Sequence, residues 1–189
     1  MNDVLVLYES KTGYSKRYAE WIAEELNTVC YSLKEGTDEM FGKAHVVVFG
    51  GGVNGSILNG QSKFARKMKQ YPDKKVIYFA TGIRPATKRT SELIQKNNFG
   101  EEKVVCFYVR GGLESGRLTP GDKTLIRIYS AMIKRRRDIH EEDKEVISLL
   151  KLDVDYSTRE QIQPLIQTVK IYLKNKMKEG DEYEQEGSY

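Results

Sequence analysis

The order of apolar runs and amphipathic segments predicts an α/β fold, a doubly wound five-stranded parallel sheet with helices on both faces. Three observations carry this. Val4-Leu5-Val6-Leu7-Tyr8 is apolar throughout, as a strand buried on both faces must be. A segment with helical periodicity follows it at once, and further strand-like and helix-like segments then alternate along the chain. Three of the strand-like runs end in loops that carry glycine.

Each element has its own justification. Tyr14 to Leu26 reads as a helix, because Tyr18, Ala19, Ile22, Ala23 and Leu26 share one face. Val29 to Leu33 is a short second strand, and Thr37 to Phe41 a helical turn. Val46 to Phe49 is the third strand, ending at Gly50-Gly51-Gly52. Gln61 to Tyr71 is a helix stopped at Pro72. Lys75 to Ala80 is the fourth strand, Thr87 to Asn97 a weakly amphipathic helix, and Lys103 to Val109 the fifth strand. A final helix carries Ile162, Leu165, Ile166, Val169 and Leu173, with Pro164 in its first turn.

With 189 residues and 39% hydrophobic content, the chain suits a single domain with a core of its own. This domain is expected over 1–178. The acidic stretch 179–189, with five acids and no base, reads as a disordered tail. No apolar run approaches the roughly 18 residues of a membrane span, and no signal-peptide pattern opens the sequence. A cytoplasmic location is therefore expected. Two histidines, His45 and His140, and two cysteines, Cys30 and Cys106, give little basis for a metal centre or a nucleophilic triad. No catalytic side chain and no metal ligand are assigned.

The loop after the first strand is Ser10-Lys11-Thr12-Gly13-Tyr14-Ser15. A helix N-terminus exposes unpaired N–H groups and a partial positive charge. Hydroxyls add donors, and glycine lets a phosphate come close. The loop is neither a Walker A motif nor a Gly-x-Gly-x-x-Gly fingerprint. Its plainer reading is a turn with N-capping hydroxyls. Two more loops should meet it at the carboxyl edge of the sheet: Gly51-Gly52-Val53-Asn54-Gly55-Ser56 and Thr81-Gly82-Ile83-Arg84-Pro85. Each alone could be a tight turn. Three at one edge, one of them suited to phosphate, point to a ligand with a phosphate and a flat ring.

The form Ser10-x-Thr12-Gly13-x-Ser15 resembles the phosphate loop of the flavodoxin superfamily, and the likeness extends over essentially the whole chain. Within that superfamily the chain is similar to flavodoxin-domain proteins related to the menaquinone-linked bacterial protoporphyrinogen oxidase. The residues behind this are Ser10 to Ala19, Arg84-Pro85 with Lys88-Arg89-Thr90, and Val109-Arg110-Gly111-Gly112-Leu113. Asp122-Lys123-x-x-Ile126 through Lys134 and Asp155-Tyr156-Ser157 add to them. The resemblance implies strand order 2-1-3-4-5 and FMN as cofactor. It places Ser10, Lys11, Thr12, Gly13, Tyr14 and Ser15 at the phosphate. Gly52, Val53, Asn54 and Gly55 would border one side of the ring, and Thr81, Gly82 and Ile83 the other. In that order Cys30 and Cys106 fall on opposite edges, out of disulfide reach. Flavodoxin electron carriers are acidic and often stack aromatics on the ring. This chain has net charge +4 and no aromatic in either ring loop, so a weakly sandwiched flavin is expected.

An insertion is expected over 111–157, far longer than an ordinary connection. Gly116-x-x-x-Pro120-Gly121 opens it with turn signals, and Leu125, Ile128, Tyr129, Met132 and Ile133 form a helical stripe. Arg117 to Arg137 holds seven basic residues against one acid, Asp122. The plainer reading packs this helix on the sheet edge with its basic end in water. The functional reading gives Leu125 to Arg137 a membrane-surface or quinone contact, peripheral to the bilayer, or an anchor for tetrapyrrole carboxylates. Nucleic acid is a weaker partner, with no interleaved aromatics. The expected function is an FMN-dependent oxidoreductase acting on a small-molecule substrate or redox partner. The alternatives are an electron-transfer carrier and a binding module that has lost FMN.

Overall fold

The computed structural model describes residues 3–135, 137, 139–150 and 152–186, the last ten by backbone alone. In chain order the elements are β1 (Val4–Glu9), α1 (Tyr14–Glu25), β2 (Cys30–Ser32), α2 (Asp38–Lys43), β3 (Val46–Asn54), β4 (Ile57–Leu58), α3 (Gln61–Met68) and β5 (Lys75–Gly82). They continue with α4 (Lys88–Phe99), β6 (Val105–Arg110), β7 (Gly112–Leu113), α5 (Pro120–Lys134), α6 (Glu141–Leu149), β8 (Val154–Asp155) and α7 (Gln163–Glu186). The main sheet runs β2-β1-β3-β5-β6 in parallel, with β4 antiparallel to β3; β7 and β8 form a separate antiparallel pair. For the five parallel strands this is the expected order 2-1-3-4-5. In register, Val6 stands opposite Cys30 and Val48, and Ile77 opposite Val48 and Val105.

Strand side chains alternate between faces, so the apolar runs divide into two cores. Val4, Val6, Val46, Val48, Ile77 and Phe79 pack under α1 and α7, against Tyr18, Ile22, Ile162, Leu165 and Val169. Leu5, Leu7, Val47, Phe49 and Tyr78 pack on the other side against Phe41, Phe64, Met68 and Ile94 of α2, α3 and α4. Cys30 and Cys106 are free, on the two outer strands. Burial pushes the Cys106 thiol up to about 12, so it stays protonated and unreactive.

The elements depart from expectation where glycine and charge decide the outcome. The third strand does not end at its glycines: Gly50, Gly51 and Gly52 stay in the ladder opposite Phe79, Ala80 and Thr81. Gly50 leaves room over the sheet for the Phe79 ring, so it serves packing rather than breaking the strand. The second of the three loops, Gly51 to Ser56, is accordingly a tight β3–β4 hairpin. Pro120-Gly121 opens a helix rather than a turn. Pro120 sits in the first turn, and Thr119 and Asp122 form a reciprocal capping box. The stripe on α5 is not packed on the sheet: Ile133 is buried and Tyr129 half-buried, but Leu125, Ile128 and Met132 are 47%, 53% and 55% exposed.

Helix α6 was not foreseen. It buries Val146 and Leu149, but charge also holds it against the sheet. Asp143 pairs with Arg84 at 2.7 Å, Glu142 with Arg89 at 3.4 Å, and Glu145 with Arg110. Among the described residues no helix is long and apolar enough to cross a membrane. The backbone of α7 runs on to Glu186. The side chains from 177 onward and all of 187–189 lie outside the described residues, and with them the disorder expected for 179–189; so does Arg136 in the basic run.

Removing one partner of a buried ion pair strands the other charge. Arg84 and Asp143 are 8% and 1% exposed. Asp143→Ala should lower stability by about 3 kcal/mol, while Arg84→Met with Asp143→Leu should recover most of that loss. Urea unfolding of the two variants checks this.

Candidate functional site

The loop between β1 and α1 sets one end of the site. Gly13 is the N-cap of α1 at φ 95°, a left-handed conformation that side chains other than glycine rarely adopt, and α1 has no side-chain cap. Ser10 Oγ accepts from the Gly13 N–H at 3.1 Å, which folds the loop back on itself. The plain capping reading therefore does not describe this loop, since the Thr12 and Ser15 hydroxyls do not cap the helix. Ser15 is nonetheless buried.

The β3–β4 hairpin sets the second wall. Val53 stands opposite Leu58 and Asn54 opposite Ile57, with Gly55 in the turn. Asn98 of α4 fixes the hairpin from outside: its Oδ1 accepts from Leu58 N–H at 2.7 Å, and its Nδ2 donates to Ser56 O at 2.8 Å. The third wall follows β5. Here Tyr108 OH donates to Arg84 O at 3.1 Å, Arg110 Nε donates to Ile83 O at 3.2 Å, and Gly111 N–H donates to Gly82 O at 2.8 Å.

Together these walls bound a cavity of about 180 Å³. It is lined by Lys11, Thr12, Tyr14 and Ser15, by Gly52, Val53, Asn54 and Gly55, and by Thr81, Gly82 and Ile83. Ser10 and Gly13, the other expected site residues, sit in the same loop just outside the lining. Inside the cavity Thr81 is 4% exposed, and its Oγ1 has no hydrogen-bond partner among the described residues. Its methyl group lies 2.7 Å from where a Cβ on Gly111 would stand, so Gly111 makes space for that rotamer. A buried hydroxyl without a partner costs free energy. Among the described residues no group of three or more His, Cys, Asp or Glu could hold a metal ion.

The insertion supplies the roof. Leu118, Leu125, Ile126, Tyr129, Val146 and Leu150 line the cavity from this side. Tyr129 brings an aromatic ring that neither ring loop contains. It lies 4.0 Å from the Cβ position of Gly55, and its hydroxyl contacts the Arg84 guanidinium. It therefore bridges the second and third walls. Sequence spacing marked Tyr129 as part of a stripe and Arg84 as part of a loop, but nothing in the pattern paired them.

A polar seam joins the roof to the first loop. Tyr14 OH donates to Glu114 at 3.1 Å and Val154 O at 3.3 Å, and Arg17 pairs with Asp155 at 2.6 Å. Lys11 lies 3.7 Å from Asp122. Burial, then the hydrogen bond to Glu114, push the Tyr14 hydroxyl up to about 12, so it is a neutral donor at working pH. Asp155 is raised by burial, but hydrogen bonds from Ser157 and then Arg17 outweigh this and hold it below its ordinary 3.8. Hydrogen bonds from Thr119, with the Lys11 charge, hold Asp122 down in the same way.

Depressed carboxylates stabilise the fold above their ordinary value and lose that contribution as the pH falls through the lowered one. Stability should therefore drop between about pH 5 and about pH 2, and less steeply in Asp155→Asn. Denaturant midpoints across that range check this.

A family model described as a flavodoxin domain matches residues 5–140. No curated protein sequence matches the chain. Among solved structures, the chain is similar to a Bacteroides eggerthii DSM 20697 protein described as a flavoprotein, at 16% identity and TM-score 0.42, covering 72% of this chain and all of that one. It is similar to rubredoxin oxygen:oxidoreductase of Desulfovibrio gigas at 13% identity and TM-score 0.41, over 66% of this chain and about a third (33%) of that one. A flavodoxin from the domain Archaea aligns at 14% identity and TM-score 0.37, covering 66% of this chain and 94% of its own. With the family match spanning most of the chain and the strand order in agreement, the protein belongs to the flavodoxin-domain family.

Proposed function

We propose that the chain is an FMN-dependent oxidoreductase acting on a small organic substrate. The observation that carries this is the buried, unpartnered Thr81 hydroxyl, which shares one cavity with the hydroxyl-rich loop. A flavin ring edge offers the hydrogen-bond partner that Thr81 lacks, and the loop suits a phosphate.

The residues fit the group. Ser10, Thr12 and Ser15, with the free N–H groups of the first turn of α1, would hold the phosphate. Gly52 to Gly55 and Gly82-Ile83 would flank the ring, with Thr81 on its polar edge. Bound FMN would supply the redox chemistry. The chain's own part is to bind, orient and exclude water, and the apolar roof serves the last of these.

The roof favours an enzyme over a carrier. A carrier presents its ring edge to a protein partner, whereas here Leu118, Ile126 and Leu150 wall the cavity from within the same chain. The finer proposal is protoporphyrinogen oxidation with a quinone acceptor. It rests on the sequence resemblance, and the apolar wall suits substrates of that kind.

The exposed face of α5 favours a second contact. Leu125, Ile128 and Met132 form an apolar strip beside exposed Lys123, Arg127, Lys134 and Arg135. That combination suits the surface of an anionic bilayer, where a quinone would be at hand.

Purified protein saturated with FMN and desalted should retain absorbance near about 375 and 450 nm. A colourless protein that leaves FMN fluorescence unquenched would instead favour a module without flavin. Thr81→Val should weaken FMN binding by about tenfold, as read by fluorescence titration, with the fold intact. Wild type should float with anionic vesicles and not with neutral ones. Arg127→Gln with Arg135→Gln should abolish flotation, and absence of wild-type flotation removes the bilayer contact.

A further inference from the structure

The insertion reaches the phosphate end of the site as well as the ring end. Arg117 lies in a short 3-10 turn, Ser115–Arg117, more than a hundred residues from the first loop in sequence. Its Nη1 donates to Thr12 O at 2.9 Å, and it lies 2.7 Å from where a Cβ on Gly13 would stand. A side chain at position 13 would meet this guanidinium, which would have to shift, so Gly13 leaves Arg117 its present place as well as allowing the left-handed turn. Glu114 holds Nε at 2.8 Å. Arginine has five N–H donors in a planar fork. Among the described residues, those not directed at Thr12 and Glu114 have no partner.

Resting on the FMN reading above, we infer that Arg117 is a phosphate-recognition residue that lets the chain discriminate FMN from riboflavin. Two cations belong to this loop. Arg117 is held at Thr12 O, and Lys11, the residue before Thr12, lies 3.7 Å from Asp122. The neighbouring carboxylates are already engaged, Glu114 by Tyr14 OH and Asp122 by Thr119 N–H and Oγ1. They fix the cations without closing off the guanidinium fork. A phosphate dianion then meets helix N–H groups, hydroxyls and a positioned guanidinium together. Riboflavin has the ring and ribityl chain but no phosphate, so it gains nothing from Arg117.

The competing role is mechanical. Arg117 could simply fasten the insertion to the loop, and its loss would then loosen the roof over the ring. The two roles differ in their effect on riboflavin. The test is fluorescence titration of the full chain with FMN and with riboflavin, for wild type, Arg117→Gln and Arg117→Lys, at low and high salt. The expected result is FMN affinity weakened about tenfold in Arg117→Gln with riboflavin affinity unchanged, and partial recovery in Arg117→Lys. The salt dependence of FMN binding should also flatten in Arg117→Gln. Equal weakening of both flavins, or no change in either, overturns the inference while FMN binding stands. A wild-type chain that binds neither flavin overturns the FMN reading and this inference together.

Discussion

A guanidinium that loses its water must be neutralised, and much of this site is arranged around that requirement. Arg84 lies at the end of the third wall, nearly fully buried. Burial alone would pull its proton affinity down, but Tyr129 and Asp143 outweigh that and raise it. Asp143 comes from α6 and Tyr129 from α5, so one buried charge calls in both helices of the insertion. The roof of the cavity follows from this. Interior ion pairs contribute little net stability, but breaking one is costly. The pair therefore sets where the insertion sits more than how tightly the chain folds.

The same logic extends along the roof. Glu142, Asp143 and Glu145 on α6 meet Arg89, Arg84 and Arg110 on the sheet side. Arg110 also stacks over the Tyr156 ring at 3.8 Å and bonds Ile83 O. The loop that forms the third wall is thus braced from two directions. The hairpin opposite it is braced by Asn98. A cavity between such walls is largely pre-formed, and pre-formed walls would lose little entropy on taking up a ligand.

What the sequence made legible follows from which forces leave a periodic trace. Burial on two faces writes itself into Val4 to Tyr8 and Val46 to Phe49, so the sheet could be read directly. The first loop was legible from its hydroxyls and Gly13. Helix α6 was not, because acids that dock by pairing look like acids in water. Gly50 misled for a related reason: glycine marks a turn far more often than a space for a ring such as Phe79. The α5 stripe had helical spacing, but spacing reveals a shared face and not what covers it. Arg117 and Tyr129 were hidden by distance along the chain, since neither shares a local pattern with the loops it touches.

The two cores also differ in when they can be completed. The side of the sheet over Val6 and Val48 is closed by α1 together with Ile162, just before the last helix, and Leu165, Ile166 and Val169 within it. The opposite side needs only α2, α3 and α4, all of them made before the insertion. During synthesis one face can pack early, while half of the other stays open until α7 leaves the ribosome. At about 5 to 20 residues per second that interval lasts seconds. For that time a strip of valine and isoleucine is available to chaperones, or to neighbouring nascent chains.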